Sequence, residues 1–314
     1  MTLAHWDDVA GFNVPDDVQP LGGRWQRLAD AAGSVRVGAQ RVLLTPGQLI
    51  TPPHTHPAEE EIFYVVKGSA TLWQDGATCT VAAGDTIVHV AGGAAHTLIG
   101  GDGGLEVLIF GQRLTPEVGF LPRTRRVWLA REAVEVPDEH PWQAEAKLGL
   151  PEGTPGDRPA NVVNLADLEG DYGGLSKRLA VAAGAKRSGL NWGILPPHEE
   201  GAPPHCHSAE EEVFVILDGE GVLELWAAPK PGSVPATEPQ ETHPVHRGHV
   251  VSRPAGTRIS HSFRASESGL TYLAYGTKEP NDMCYYPRSN KIFFRGLGLI
   301  ARLEPLDYFD GEPA

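Results

Sequence analysis

The residues with the plainest chemistry are histidines two positions apart. His54-Thr55-His56 is followed by Glu59-Glu60-Glu61 and then by Gly68. The same series recurs 151 positions later as His205-Cys206-His207, Glu210-Glu211-Glu212 and Gly219. Residues i and i+2 of a strand share a face, so each pair aims two imidazoles into one space. A glutamate then follows on the next strand, after a turn. His96 arrives from a later strand, beyond the glycine turn Gly92-Gly93, and His261 is its counterpart in the second copy. Three imidazoles and one carboxylate suit Fe(II), Mn(II), Zn(II), Ni(II) or Cu(II), one ion per copy. They leave coordination positions for Lewis-acid or O₂ chemistry. A lone HxH is commonly a surface or structural pair. Its return with the same glutamates, the same glycine and a later histidine is what points to metal. Spacing alone does not choose among Glu59, Glu60 and Glu61, or among Glu210, Glu211 and Glu212.

The elements that must carry these residues are short and numerous. Gly 37 and Pro 27 are abundant, and few stretches hold a helical period. Ile62–Val66 is β-branched and aromatic and ends at Gly68. Ala70–Trp73 and Thr78–Val81 flank the hairpin turn Gln74-Asp75-Gly76. Thr86–Val90, His96–Ile99 and Leu105–Phe110 complete the set. Such strands predict closed or sandwiched antiparallel β structure, which removes exposed edges.

The repeat covers whole domains: Gly22-Gly23 matches Gly173-Gly174, and Arg27–Gly33 matches Arg178–Gly184. The expected division is a lead-in at 1–21, a first domain at 22–112, an interdomain segment at 113–172, a second domain at 173–276 and a tail at 277–314. Within the interdomain segment, Val127–Val136 is expected to add a strand or short helix, and His140–Pro159 reads as linker. The second copy carries a Pro-rich insertion in 227–247, expected to be a surface loop, with a lid as the minority reading. From Tyr272 onward no counterpart is found in the first copy. The tail's aromatic residues predict packing across the domains or against a second copy of the chain, a homodimer.

The two stretches resemble the first motif of the cupin family, and match it fully at His54, His56, Glu61, Gly68 and at His205, His207, Glu212, Gly219. The second motif is matched more loosely. Gly248, Pro254 and Gly256 fit, with His261 two positions late. In the first copy Val90 stands for the proline, and Gly100 and Ala265 replace the motif's final Asn. The chain as a whole resembles bacterial bicupins. The resemblance implies an all-β fold of two tandem jelly-roll barrels (double-stranded β-helices). It selects Glu61 and Glu212 as the metal-ligating carboxylates, which could shift to act as catalytic base. It implies a mononuclear metal enzyme on a small organic substrate, a dioxygenase ahead of an isomerase, decarboxylase or lyase. A non-catalytic small-ligand binder is the alternative from a different class.

Among neighbouring residues, His89 is a candidate general base or a plain strand histidine. Arg253 and Arg258 are candidates to hold an anionic substrate or to pair with surface carboxylates. Phe63, Trp73, Trp192, Phe214 and Trp226 are candidate core or pocket residues. The net charge of −14 argues against nucleic acid and anionic membranes. No apolar run reaches transmembrane length and the N-terminus lacks a signal pattern, so a cytoplasmic protein is expected. Cys79, Cys206 and Cys284 read as free thiols.

Overall fold

The computed structural model describes residues 3–114, 118–129, 141–227, 236–304, 306, 310 and 311. Residues 228–235 of the Pro-rich insertion lie outside the described residues, as do 130–136 of the expected Val127–Val136 element.

In chain order the first half contributes β1 (Leu3–His5), β2 (Gly11–Asn13), β3 (Arg24–Arg27), β4 (Val37–Leu44), β5 (Glu61–Gln74), β6 (Ala77–Ala82), β7 (Asp85–His89), β8 (His96–Gln112), β9 (Val118–Leu121) and β10 (Arg126–Leu129). The second half contributes β11 (Thr154–Pro155), β12 (Val162–Asn164), β13 (Ser176–Arg178), β14 (Ser188–Leu195), β15 (Cys206–His207), β16 (Glu212–Ala227), β17 (Glu241–His246), β18 (His249–Arg253) and β19 (Ile259–Thr277). It ends with β20 (Met283–Tyr286), β21 (Lys291–Phe294) and β22 (Leu299–Arg302).

The two halves fold alike, as two jelly-roll barrels. In the first, β5 pairs with β6 and β7 along one edge and with β8 along the other. In the second, β16 pairs likewise with β17, β18 and β19. Long strands can serve both walls of a barrel only if they bend, and the bend explains the motif glycine. Gly68 has φ 82°, and a side chain there would collide with the carbonyl of Gly104. The β5–β8 register shifts on either side of it. Gly219 has φ 77° and faces Gly269 in the same way. Glycine alone takes this conformation and this approach cheaply.

The strands before each barrel cross over. β1 pairs with β18 of the second barrel, and β12 pairs with β7 of the first. A shared apolar core joins the barrels, containing Ile62, Val88, Leu108 and Phe110 of the first with Val213, Val215, Leu273 and Tyr275 of the second. The rings of Phe110 and Tyr275 stack at 5.3 Å.

One expectation is corrected and another extended. First, the chain beyond Tyr272 has a counterpart. β19 runs to Thr277 in the register that β8 keeps to Gln112. The hairpin β20–β21 then repeats the hairpin β9–β10: Tyr285 lies opposite Cys206, and Phe120 lies opposite Thr55. The sequences Phe120-Leu121-Pro122-Arg123 and Tyr285-Tyr286-Pro287-Arg288 show the relation at an offset of 165. Insertions had moved it away from 151. Second, the tail also packs on its own barrel, where β20 pairs with β15, the strand that carries His207, while Glu279 reaches across to Arg36 of the first half at 3.0 Å, as expected of a segment that packs across the domains.

Candidate metal centres

Backbone pairing brings the ligand candidates together. His54 and His96 exchange both main-chain hydrogen bonds, at 3.2 and 2.9 Å, and His205 and His261 do the same. The rings of His54 and His96 are 4.8 Å apart, as are those of His205 and His261. His56 and His207 stand on the same face two residues on, at ring distances of 4.8 and 5.1 Å from His54 and His205.

Each glutamate completes its ring of donors. Oε2 of Glu61 lies 3.5 Å from Nε2 of His54, 3.3 Å from that of His56 and 3.1 Å from that of His96. Oε2 of Glu212 lies 3.9, 3.2 and 3.3 Å from Nε2 of His205, His207 and His261. Donors about 2.0–2.2 Å from one divalent ion stand about 3–3.5 Å from one another. Most of these distances match that spacing, and the donors of His54, His56 and Glu61, like those of His205, His207 and Glu212, lie within 4.8 Å of one another, with His96 and His261 each beside the glutamate. The outer nitrogens support the same reading. Nδ1 of His54 bonds the carbonyl of Pro52 at 2.8 Å, Nδ1 of His205 that of Pro203 at 2.9 Å, and Nδ1 of His207 meets Asp282 Oδ2 at 2.7 Å. Protons held there leave the Nε2 lone pairs aimed inward. Among the described residues, Nε2 of His207, Nε2 of His261 and Oε2 of Glu212 are buried without a hydrogen bond. A shared cation satisfies such convergent atoms, so the residues fit a divalent metal in each barrel.

Electrostatics favour the metal-binding forms except at His207, whose pKa is raised, against its burial, by Glu212 and the Asp282 bond, so a cation there displaces a proton. Burial alone would raise the Glu61 carboxyl, but His56, His54 and His96 outweigh it and hold it well below the usual range. Glu212 is likewise lowered by His207 and His261 against its burial. Burial lowers His96, and it lowers His261 to about 3. These imidazoles are neutral and these carboxylates ionised near neutral pH, the forms that bind metal.

The run of three glutamates separates cleanly. Successive strand residues face opposite ways, so Glu61 enters its barrel while Glu60 leaves it. Glu60 accepts from the amides of Lys186, Arg187 and Ser188 at 2.8, 3.4 and 3.1 Å and from Oγ of Ser188 at 2.5 Å, all on the second half. Glu211 reciprocates with Oγ of Ser34 and the amides of Val35 and Arg36 at 2.6, 3.0 and 2.7 Å. The middle glutamate of each run thus joins the barrels. Glu210 pairs with Arg295 at 2.9 Å, and Glu59 lies 3.9 Å from His56 Nδ1.

The centres differ in their surroundings. At the first, His89 lies opposite Glu61 in the ladder, and its ring stacks on His96 at 3.4 Å and 3°. Burial and His96 lower its pKa well below the usual value. At the second, the equivalent position opposite Glu212 is Arg253, only 4% exposed. Its Nη2 donates to the carbonyl of Ile259 at 2.5 Å and its Nε is buried without a partner among the described residues. Arg258 is exposed. Phe63 and Phe214 are buried and present ring edges to His96 and His261 at 5.9 and 5.3 Å. Trp73 is core, its Nε1 tied to the carbonyl of Glu152 at 2.8 Å; Trp226 is core, and Trp192 packs half-buried beside the shared core. The three cysteines are free.

Sequence reasoning missed Asp282, Cys284 and Tyr286. Asp282 orients His207, Cys284 Sγ lies 3.4 Å from His207 Nδ1, and Tyr286 stacks on His205 at 5.8 Å. The Pro-Arg hairpin shared with the first half is the signal that locates this segment over the second centre.

A family described as "Cupin domain" matches residues 40–110. No curated protein matches the sequence. Among solved structures, the Lactobacillus farciminis oxalate decarboxylase formate complex superposes with a TM-score of 0.60 at 16% identity, over 90% of this chain and 88% of that one. Oxalate decarboxylase from Bacillus subtilis at pH 4.6 gives 0.57 at 15% identity, over 88% and 75%. A study of the Mn(II) centres of the same Bacillus subtilis enzyme gives 0.57 at 15%, over 88% and 76%. At these identities the likeness establishes the two-barrel fold. No helix among the described residues is long and apolar enough to cross a membrane.

Proposed function

We propose, from the premise that the chain is a bicupin of the cupin superfamily, that it is a metal-dependent enzyme cleaving a small carboxylic acid, a lyase of the decarboxylase class. The metal ligands are His54, His56, Glu61 and His96 in the first barrel and His205, His207, Glu212 and His261 in the second. A divalent cation held there supplies Lewis-acid polarisation of a substrate oxygen. The carboxylates of Glu61 and Glu212, each amid three imidazoles, would take up the substrate's carboxyl proton and return it to the carbon that loses CO₂, so that a C–H bond replaces the C–C bond broken.

Arg253 carries the choice of substrate. A buried guanidinium needs an anion, and the carboxylate facing it across the ladder, Glu212, belongs to the ligand set. With that charge engaged, Arg253 has capacity for a second carboxylate, and its fork suits bidentate recognition. Oxygenase chemistry, favoured from the ligand set alone, requires no such anion site. The structural neighbours, oxalate decarboxylases, support an acid substrate. His89 in the equivalent place makes the first barrel the weaker acid-binding site.

The test is CO₂ release from a panel of small mono- and dicarboxylic acids by protein reconstituted with Mn(II), beside Arg253→Ala and metal-stripped protein. Turnover is expected with at least one acid. It is lost on metal removal, and KM rises at least tenfold in Arg253→Ala, the equivalent of about 1.4 kcal/mol. Turnover that ignores Arg253, or O₂ consumption without CO₂ release, overturns the reading.

A further inference from the structure

Three imidazoles meet where β1 crosses onto the second barrel. His5 ends β1, and His246 and His249 flank the turn Arg247-Gly248 between β17 and β18. His5 lies opposite His249 in the ladder. Ring centroids are 5.0 Å apart for His5 and His246, 4.8 Å for His5 and His249, and 4.3 Å for His246 and His249. One donor nitrogen of each ring lies within 4.8 Å of one on each of the others.

The surroundings hold the rings in place. Nε2 of His5 lies 2.8 Å and Nδ1 of His246 3.2 Å from the carbonyl oxygen of Arg247, and Nδ1 of His249 lies 3.0 Å from that of His246. Gly248, at φ 95°, leaves room for the approach; a Cβ there would stand 2.5 Å from Nε2 of His5. Next to His5, Trp6 is 4% exposed and lies beneath the guanidinium groups of Arg41 and Arg247 at 4.4 and 5.4 Å.

The first barrel builds the same junction without histidines. There β12 lies along β7 as β1 lies along β18, and the turn is Ala83-Gly84. The equivalent residues are Ala82, Asp85 and Asn164. Asn164 Nδ2 donates to Asp85 Oδ1 at 2.5 Å, and Arg158 pairs with the same carboxylate. The fold needs a crossing strand at this place and does not need three imidazoles.

We infer that His5, His246 and His249 form a third cation site, distinct from the barrel centres, that clasps the N-terminal strand to the second barrel. Imidazoles select a borderline ion, Zn(II), Ni(II) or Cu(II), over Mg(II) or Ca(II). The site sits on the protein surface, where His246 is exposed, so water completes the coordination. Its work is structural.

Zinc bound per chain after desalting, and the rise in Tm on adding zinc to metal-stripped full-length protein, test the inference. His246→Ala and His5→Asn install the residues that the first barrel carries at these positions, so each is expected to fold; circular dichroism of the stripped proteins checks this. Each should bind one zinc fewer than the wild type and lose part of the zinc-induced stabilisation. His54→Ala and His205→Ala, by contrast, should keep this zinc while losing those of their own barrels. Wild-type zinc content and wild-type stabilisation in both His246→Ala and His5→Asn would overturn the inference, leaving the trio a hydrogen-bonded cluster. Loss of zinc only in the barrel variants would overturn it equally and leave the barrel centres standing.

Discussion

Glu60→Ala should loosen the two barrels from each other while leaving metal binding intact. Glu60 is 1% exposed and receives three backbone amides and one hydroxyl from the second half. A buried donor left without its acceptor costs about 1–3 kcal/mol. The Arg187 amide, at 3.4 Å, is a weak bond, and water entering the space left by the side chain recovers part of the rest. Removing a buried carboxylate also returns some desolvation energy. The net expectation is a loss of about 3–4 kcal/mol. For halves of about 150 residues that is a fall in Tm of roughly 6–16 °C. Scanning calorimetry with metal analysis on the same samples is the assay. Glu60→Ala should melt early, with a broadened or split transition, at wild-type metal content. Glu61→Ala, one residue along, should reverse the pattern by losing the first barrel's metal with its interdomain contacts unbroken. If Glu60→Ala melts with the wild type, or loses metal as Glu61→Ala does, the assignment of opposite faces to these neighbours is wrong.

Two further outcomes follow from the packing. Asp282→Asn should weaken metal binding in the second barrel by about 10–100-fold, because the bond that orients His207 loses its charge, while the first barrel is unaffected; metal titration of the variant in a His54→Ala background reads this directly. Burial raises the Tyr64 hydroxyl from 10.0 to about 12. The folded state therefore keeps a proton that the unfolded state loses first, so stability should fall as pH rises from about 10 to 12, by about 2–3 kcal/mol in total. Tyr64→Phe should flatten that part of the curve in urea titrations at high pH.

Much of each centre was legible because its determinants are local. His54 and His56 share a face by strand alternation, and a ligand that returns at constant spacing in two copies is hard to read as chance. His96 could be assigned because a glycine turn and a strand announce it. The rest depends on docking. Alternation says that Glu60 and Glu61 part company, but what awaits Glu60 is the bend at Lys186-Arg187 and the start of β14 at Ser188, and nothing near position 60 encodes that. The hairpin over the second centre escaped notice because the insertion near 227–247 changed the repeat offset from 151 to 164, and one more residue between Arg253 and His261 takes it to 165. Asp282 became visible as a partner of His207 only once β20 was placed on β15. Strand β1 is three residues long, and its destination on the far barrel is a fact of topology that so short a segment cannot carry.

The crossing of β1 and β12 sets an order of assembly. The first barrel's last long strand ends at Gln112, yet the strand that completes its edge, Val162–Asn164, is synthesised about fifty residues later. The second barrel finds its edge strand, Leu3–His5, already made. On the ribosome, then, the half translated first cannot finish alone, and the half translated last can close at once. A chain severed between Leu129 and Pro141 would yield two fragments, each holding the other's missing edge, which should recover the native state by complementation and neither by itself.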